Sequence, residues 1–205
     1  VRVGDVVIAM PSSGLHSNGY SLARRVLLQG SGPGLSATLP EFGRTVGEEL
    51  LEPTRIYARD CLALAAAVEV HAFSHVTGGG LAANIARVLP DDVAIDLDRG
   101  CQCQAVTRVD ARGRASWSPA PVFDVIARIG EVDARDMELT FNMGIGMVAI
   151  VAADAAPTAL ALLAQRGVPA WTCGAVRARR DGEHGDAQAK GGSGGAVTLV
   201  GAHAR

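Results

Sequence analysis

A strand, a glycine-rich turn and the start of a helix follow one another twice in this chain, and this repetition constrains the fold more than any other feature. Val6 to Met10 is an apolar run that predicts a buried strand; residues 12–19 are polar and glycine-rich and lead into helical spacing, with Ser17 or Asn18 as the expected N-cap. Val68 to Val76 predicts a second strand, which a Thr-Gly-Gly-Gly turn joins to another helix. Such turns leave backbone N–H groups free to bind an anion, although a capped turn or a hinge explains each of them equally well.

The order of the remaining elements predicts the fold class. Strands alternate with helices along most of the chain, and two strands come last, at Ala170 to Val176 and Ala196 to Val200. We therefore expect one α+β domain over residues 1–205, in which helices cover both faces of a mixed sheet in three α/β/α layers. Residues 177–195 are rich in glycine and charge, and we expect them to form a mobile loop before the last strand.

Prolines and an aspartate predict several helix starts. We expect Pro53 to begin a helix with Arg55 near its start, Pro119 and Pro121 to begin another, and Asp154 to cap a third. A cation is unfavourable at the positive end of a helix. Arg55 is therefore interpreted either as a partner for an anion or as a solvated side chain, and the sequence does not decide between the two.

Histidines and cysteines do not predict a metal site. In the strand at 68–76, alternation places the even-numbered residues on one face and His71 and His75 on the other. The two histidines would then lie about 13 Å apart, too far to share an ion, so they are interpreted as hydrogen-bonded residues of the sheet. His75 lies nearer the following loop and is the better functional candidate of the two. Cys101 and Cys103 form a C-x-C pair without a second pair at ligand spacing, whereas zinc needs four ligands.

The composition excludes several classes of function. The 205 residues are 48% hydrophobic, which suits a globular core, and the net charge of −2 gives no electrostatic reason to bind nucleic acid or an anionic membrane. No apolar run is long enough for a membrane span and no signal peptide is recognisable, so we expect a cytoplasmic protein. Lys190 is the only lysine and lies in a glycine-rich stretch, which excludes a P-loop.

Four sequence blocks resemble the C-terminal domain of aminoimidazole ribonucleotide synthetase, also called phosphoribosylformylglycinamidine cyclo-ligase. They occur in the family's order between Val3 and Val176, and they read GDVVIAMPSSGLHSNGYSLARRVL, LLEPTRIYARDCLAL, VHAFSHVTGGGLAANIARVLP and TFNMGIGMV. The SSGLHSNG and LLEPTRIY segments together are far more specific than a single glycine pattern.

The resemblance implies an enzyme of de novo purine biosynthesis. Such an enzyme uses ATP with Mg²⁺ to activate the formyl amide oxygen of formylglycinamidine ribonucleotide, after which the amidine nitrogen attacks that carbon and closes the imidazole ring. The protein mainly positions the substrates and neutralises phosphate charge. The implied partners are ATP, the ribonucleotide and a second copy in a homodimer, which the family forms through an N-terminal ATP-binding domain.

The resemblance also implies that residues of the two turns line the phosphate-bearing side of a cleft. We expect His16 to make a catalytic or transition-state contact, with a near-neutral pKa suited to proton transfer. No metal ligand is assigned to this chain. The expected substrate- and phosphate-binding residues are Ser12, Ser13, Gly14, Asn18, Gly19, Thr77, Gly78, Gly79, Gly80 and Asn142.

Three departures from the family pattern leave the activity open. First, the family's N-terminal domain is absent, so we expect the chain to be inactive alone. Second, we expect residues 101–115 to form an inserted loop. Third, Leu139 stands where the family has an arginine before Thr-Phe-Asn. Two alternatives therefore remain beside the cyclo-ligase. One is another ATP-dependent enzyme of the same superfamily, and the other is a non-catalytic binding or assembly module with the same fold.

Overall fold

A computed structural model describes residues 1–100, 117–186 and 194–203. Its strands are β1 (Val6–Pro11), β2 (Thr38–Leu39), β3 (Arg44–Thr45), β4 (Val70–His75), β5 (Val93–Asp98), β6 (Ile145–Val151), β7 (Trp171–Ala178) and β8 (Ala196–Val200). Its helices are α1 (Tyr20–Leu28), α2 (Val46–Leu50), α3 (Ala58–Ala67), α4 (Gly80–Ala86), α5 (Pro121–Gly130), α6 (Ala134–Thr140) and α7 (Ala156–Gln165), with a 3₁₀ turn at Ala153–Ala155. None of these helices is both long enough and apolar enough to cross a lipid bilayer.

The central sheet has six strands in the order β4-β6-β1-β7-β5-β8, and β2 pairs with β3 in a separate hairpin. Four of the neighbouring pairs in the central sheet are antiparallel, while β5 and β8 run parallel, so the predicted mixed sheet is confirmed. The last two strands of the chain are not neighbours. Ala196 of β8 lies opposite Ala94, which places β5 between β7 and β8.

Helices pack against both faces of the sheet, as the α+β class predicts. Alternate residues of β1 point to opposite faces, because the side-chain period of a strand is two residues. Ile8 belongs to a cluster with Leu64 of α3 and Leu163 of α7, whereas Val7 belongs to a cluster with Ile85 of α4. A further cluster joins α1, α2, α5 and α6 beside the sheet. The three-layer arrangement is therefore confirmed.

The start of α1 differs from the prediction. Gly19, not Ser17 or Asn18, is the N-cap residue, and no side chain caps the helix. Gly19 has a φ of 70°, and a Cβ atom there would lie 2.2 Å from Cε1 of Phe141. Contact with a residue far along the chain therefore determines this boundary, and local capping preference does not.

The predictions for two further helix starts are also wrong, while the prediction for one is confirmed. α3 begins at Ala58, so Arg55 lies before the helix and not in its first turn. Asp154 lies inside the 3₁₀ turn and α7 has no side-chain cap. Pro121 does begin α5.

A register shift in β4 changes the predicted alternation of this strand. The shift lies between Val70 and Ala72, with the result that Val70 packs with the α3 and α7 cluster and Ala72 with the α4 cluster. The placement of all even-numbered residues on one face is therefore wrong, because a bulge adds a residue to one strand. His71 bonds to Asp5 and Glu69, as expected for a hydrogen-bonded residue of the sheet.

The predicted loop at 177–195 is partly ordered structure. Arg177 belongs to β7, and its guanidinium pairs with Asp96 and Glu183. Residues 187–193 lie outside the described residues, as does the predicted insertion at 101–115. The predictions for those two segments therefore remain predictions.

Candidate functional site

The first glycine turn, residues 12–19, is fastened to the end of α6 by one buried amide. The Nδ2 atom of Asn142 donates to the carbonyl oxygens of Gly14 (2.9 Å) and Leu15 (3.2 Å). Its Oδ1 atom accepts from the Ser12 hydroxyl (3.0 Å) and from the Gly144 backbone N–H (2.8 Å). Both amide atoms are thus occupied, and in this structure Asn142 positions the turn.

His16 is buried in this turn with one ring nitrogen unsatisfied. It is only 4% exposed and has a φ of 56°, in the left-handed region. Its Nε2 atom accepts a hydrogen bond from the Ser13 backbone N–H at 3.1 Å, while its Nδ1 atom is buried without a partner among the described residues. An accepting Nε2 requires the neutral ring to carry its proton on Nδ1. His16 is therefore a buried hydrogen-bond donor that lacks an acceptor.

The pKa of His16 differs from the near-neutral value expected from the sequence. Burial, followed by the positive charges of His75 and Arg55, lowers the pKa of His16 to about 4. The ring is therefore neutral at pH 7, and it is a weaker base than the sequence predicts. A neutral imidazole with its proton on Nδ1 can donate a hydrogen bond to an acceptor oxygen.

A tyrosine and a glycine shape the wall beside His16. The rings of Tyr57 and His16 are 6.1 Å apart. A Cβ atom at Gly146 would lie 2.0 Å from the Tyr57 hydroxyl and 2.5 Å from Cε1 of His16. Tyr57 is not among the residues predicted from the sequence. Its close approach explains why the apolar strand β6 carries a glycine at position 146.

The segment before α3 is tied across the entrance of the first turn. The Ser13 hydroxyl donates to the carbonyl oxygen of Pro53 at 2.6 Å, and the Tyr57 hydroxyl donates to the carbonyl oxygen of Pro11 at 2.7 Å. These bonds fix residues 53–57 against β1 and the first turn, and α3 begins directly after them at Ala58. They also place Arg55 beside the turn.

The second glycine turn, Thr77 to Gly80, is organised by a residue that sequence reasoning missed. The Nδ2 atom of Asn84 donates to the carbonyl oxygens of Thr77 (3.0 Å) and Gly80 (2.6 Å), and its Oδ1 atom accepts from the Thr77 hydroxyl (3.0 Å). Asn84 is 2% exposed, and a buried asparagine in the first turns of an apolar helix was the available signal. Gly78 is exposed, and no atom lies within 4 Å of the position of a Cβ there.

The predicted site residues lie in one region of the fold. The amide of Asn18 in the first turn reaches the carbonyl oxygen of Val76 (3.5 Å), directly before the second turn. The N–H of Val76 donates in turn to Gly146, near Asn142 in the chain (2.9 Å). The structure thus brings both turns and Asn142 together, while their roles in binding remain a prediction.

A cavity of about 900 Å³ lies behind the second turn, between α4, α5, α6 and β8. Gly79 and Leu139 are among its lining residues, whereas His16 is not. Arg99 and Glu138 form an ion pair on its wall, with Nε and Oε1 2.6 Å apart. Burial alone would raise the pKa of Glu138, but contacts with His203 and Arg99 lower it to about 2. No sequence pattern predicts this cavity, because its wall combines residues far apart in the chain.

Metal ligands are not gathered within the described ranges. Residues 1–100, 117–186 and 194–203 contain no group of three or more histidine, cysteine or acidic side chains that could hold an ion. Next to the first turn, Glu49 and Glu52 are both paired with Arg44.

The mixed sheet, the helices on both faces and the two tied glycine turns define an α+β domain of a known class. Residues 2–186 match the family model described as "AIR synthase related protein, C-terminal domain". The chain belongs to this family.

Curated relatives agree with this assignment. A Streptomyces fradiae protein provisionally named phosphoribosylformylglycinamidine cyclo-ligase is 55% identical over 190 residues, covering 92% of this chain and 96% of that protein. The cyclo-ligases of Myxococcus xanthus and Symbiobacterium thermophilum are 43% and 45% identical over 87% and 89% of this chain. The chain spans about half the length of these two relatives, 47% and 48%.

Solved structures share the fold at low sequence identity. The Escherichia coli hydrogenase maturation protein HypE has a TM-score of 0.53 and 16% identity, covering 100% of this chain and 49% of that one. Thiamine-monophosphate kinase of Stenotrophomonas maltophilia has a TM-score of 0.51 and 19% identity, covering 96% and 50%. A HypE solved in complex with ATP has a TM-score of 0.51 and 17% identity, covering 100% and 50%. At these identities the likeness concerns the fold alone.

Proposed function

We propose that this chain is the C-terminal half of a phosphoribosylformylglycinamidine cyclo-ligase, which closes the imidazole ring of aminoimidazole ribonucleotide in purine biosynthesis. The observation that carries the proposal is the 43–45% identity to the cyclo-ligases of Myxococcus xanthus and Symbiobacterium thermophilum over 87–89% of the chain. The first turn adds support, because it presents an unsatisfied donor on His16 inside a rigid frame.

In the proposed reaction the formyl amide oxygen takes a phosphoryl group from ATP, the amidine nitrogen attacks the same carbon, and phosphate departs as the ring closes. This chain positions and stabilises the reactants. The Nδ1–H group of His16 donates to an oxygen of the substrate, and the low pKa keeps the ring in the neutral donor form at pH 7. Gly78 lets a phosphate approach the backbone, because no side chain obstructs it.

The proposed cofactor assignment divides the work between two halves of the enzyme. The Arg55 guanidinium beside His16 suits the phosphates of ATP or of the ribonucleotide. Mg²⁺ would be held mainly by the N-terminal half, since Glu49 and Glu52 near the first turn are engaged with Arg44. The complete enzyme would work in the cytoplasm as a homodimer formed through that half.

A chimeric enzyme tests the proposal directly. We would replace the C-terminal half of the Symbiobacterium thermophilum cyclo-ligase by this chain and measure ADP release in the presence of ATP and formylglycinamidine ribonucleotide. The expected result is substrate-dependent ADP release by the chimera and none by this chain alone. A folded chimera without substrate-dependent release contradicts the cyclo-ligase assignment, and full turnover by the chain alone contradicts the division between two halves.

Two histidine variants of the chimera locate the chemistry. His16→Ala is expected to lower kcat by about 100-fold, because an oriented donor to a developing negative charge is lost. His184→Ala is the matched control, since His184 is exposed and lies outside both turns. Equal rates for the two variants would show that His16 does not contribute to turnover.

A non-catalytic binding or assembly module is the second candidate. Leu139 favours it, because an apolar side chain, 39% exposed, lines the cavity where the family has an arginine. This candidate predicts an inactive chimera whose activity is not restored by Leu139→Arg. Recovery of turnover in the Leu139→Arg chimera would instead support a cyclo-ligase with one weakened contact.

A further inference from the structure

We propose that the cavity between α4, α5, α6 and β8 binds a neutral aromatic amide or lactam, a planar ring compound that carries a C=O group beside an N–H group. The cavity does not include His16 or Arg55, and its ligand is uncharged. The proposal does not depend on the cyclo-ligase assignment.

The cavity has the size of a small-molecule site. Its volume is about 900 Å³, and ligand sites typically enclose about 300–1,000 Å³. Alanines line it on three helices, with Ala82 on α4, Ala127 on α5 and Ala134 on α6. Protein interiors are close-packed, so a space of this size between helices is a built feature and not a packing defect.

The walls of the cavity suit a ring. Phe123 of α5 and Met137 of α6 line it, and both are almost fully buried. Met143 and Leu199 of β8 add further apolar surface. Aromatic and thioether side chains make favourable contacts with the faces and edges of an aromatic ring, so the body of the ligand is aromatic.

The polar end of the cavity presents a donor and an acceptor side by side. The Nε and Nη2 atoms of Arg99 donate to the two carboxylate oxygens of Glu138 at 2.6 and 2.8 Å. Its Nη1 atom donates to the carbonyl oxygens of Leu199 (2.9 Å) and Gly201 (3.0 Å). A guanidinium has five N–H groups, so one N–H on Nη2 has no partner among the described residues. It adjoins Oε2 of Glu138, which can accept a second bond, while Nε2 of His203 lies 3.5 Å from Oε1. The C=O and N–H of an amide match this edge.

The charges around the cavity favour a neutral ligand. Although burial would raise it, the pKa of Glu138 is about 2, so the carboxylate is ionised at pH 7 and balances the charge of Arg99. The exposed rim also carries both signs, on Asp124, Asp186 and Arg135. An anion in the cavity would therefore meet the Glu138 carboxylate without a cation left to pair with, whereas a neutral amide meets no such repulsion.

Nicotinamide and nicotinate are matched probes for this site, because they share one ring and differ in a carboxamide against a carboxylate. Each would be titrated into the 205-residue chain at pH 7 and constant ionic strength, with the backbone amide resonances of the lining residues Gly79, Ala82 and Leu139 followed by NMR. We expect nicotinamide to shift these resonances saturably. Nicotinate should bind at least about tenfold more weakly, because its carboxylate faces that of Glu138.

Three variants test the recognition and the location. Glu138→Gln keeps the shape of the side chain but leaves Arg99 without its counter-charge, so nicotinamide should bind about tenfold more weakly and nicotinate should become the tighter probe. Glu131→Gln is the matched control, because Glu131 is exposed and does not line the cavity. Ala127→Phe fills the cavity without touching the ion pair, and it should abolish the binding of both probes.

Several results would overturn the proposal. Unchanged resonances of the lining residues at saturating nicotinamide, or equal affinities for the two probes, exclude the site. Nicotinamide binding that Ala127→Phe leaves intact would place the probe outside the cavity, and an unchanged order of the probes in Glu138→Gln would exclude the role of the ion pair. Turnover by the chimera enters none of these measurements, so the cyclo-ligase assignment and this site can each fail without the other.

Discussion

The two glycine turns have the same local order of strand, turn and helix, but they are held in place in different ways. Asn142 fastens the first turn from 128 positions along the chain, as its bond to Gly14 shows. Asn84 fastens the second from only four positions beyond Gly80. The side-chain bonds that hold the first turn therefore come from a distant part of the chain, whereas those that hold the second come from its own helix.

The two turns also differ in whether their buried polar side-chain atoms have hydrogen-bond partners. The side-chain amide atoms of Asn84 are all used within its own turn and by Arg87. The first turn retains the unsatisfied Nδ1 atom of His16. A long-range scaffold can hold a strained, unsatisfied side chain because the surrounding fold fixes it, whereas a local turn relaxes toward its own satisfied state.

Gly80→Ala should have the largest effect and should break the second turn. A Cβ atom at position 80 would lie 1.8 Å from the carbonyl oxygen of Glu138, and the φ of 75° is unfavourable for alanine. Because the colliding atom is backbone, α4 and α6 must separate, and we expect a loss of about 5 kcal/mol or a failure to fold. Urea denaturation measures this loss.

Gly78→Ala is the matched control for this variant. No atom lies within 4 Å of the corresponding Cβ position, and the φ of Gly78 is not positive. Its stability should stay within about 0.5 kcal/mol of the unaltered protein. Similar stabilities for the two variants would show that α4 and α6 are not in close backbone contact.

Asn142→Ala should follow in size and should distinguish the two turns. Its removal leaves two carbonyl oxygens and two donors without their buried partner. At about 1–3 kcal/mol for an unsatisfied buried group, and with partial relaxation, we expect a loss of about 4 kcal/mol. Hydrogen exchange should show lost protection in residues 12–16 with protection kept in residues 77–80.

Asn84→Ala is the reciprocal variant. It should cost about 2 kcal/mol and expose the amides of residues 77–80, with those of residues 12–16 unchanged, because its bonds are local. If each variant lowered the protection of both turns equally, the turns would form one cooperative unit and would not be held independently.

The predictability of the fold follows the same division between local and distant contacts. β1, the start of α5 at Pro121 and the mixed character of the sheet were predicted correctly, because apolar runs, proline at the start of a helix and the order of elements are local signals. The parallel pairing of β8 with β5 was not predicted, since it depends on how distant segments meet. The prediction of the α1 N-cap was wrong for the same reason, because contact with the Phe141 ring determines the position of Gly19.

The candidate site shows this limit residue by residue. Glycine-rich motifs identified both turns, and the resemblance pointed to Asn142, which is fully buried and bonded to the first turn. Tyr57 was missed because nothing in the local sequence shows that its hydroxyl reaches Pro11. The pKa of His16 was predicted incorrectly because burial and the charges of His75 and Arg55 arise only in the folded chain.

The pH dependence of stability should reveal the titratable group that the first turn holds. The folded pKa of His16 is about 4, below the value of about 6.5 in the unfolded chain, so the unfolded state binds the proton first as the pH falls. The contribution of neutral His16 to the free energy of unfolding is fully present above about pH 6.5. It declines toward pH 4, by about 3 kcal/mol for a pKa shift of this size. The difference between the denaturation profiles of the unaltered protein and His16→Gln isolates this contribution from that of the carboxylates.

His71 should produce the smallest effect, with the opposite sign. Hydrogen bonds to Glu69 and then Asp5 raise the pKa of His71, and Arg2 is the other charged group at this cluster. Since the folded pKa is above the unfolded one, the contribution is fully present below about pH 6.5 and is lost as the pH rises through the folded pKa. The cluster lies near the surface, so we expect less than about 1 kcal/mol.

Denaturation of His71→Gln between pH 5.5 and pH 8.5 measures this contribution of His71 to the free energy of unfolding. The variant should lose less stability than the unaltered protein as the pH rises, whereas His16→Gln alters the profile on the acid side. Because His71 contacts neither turn, hydrogen exchange at residues 12–16 and 77–80 should be unchanged in His71→Gln. A change in exchange at the first turn would mean that edge strand β4 and the first turn open together, and the first turn would then depend on the sheet edge as well as on Asn142.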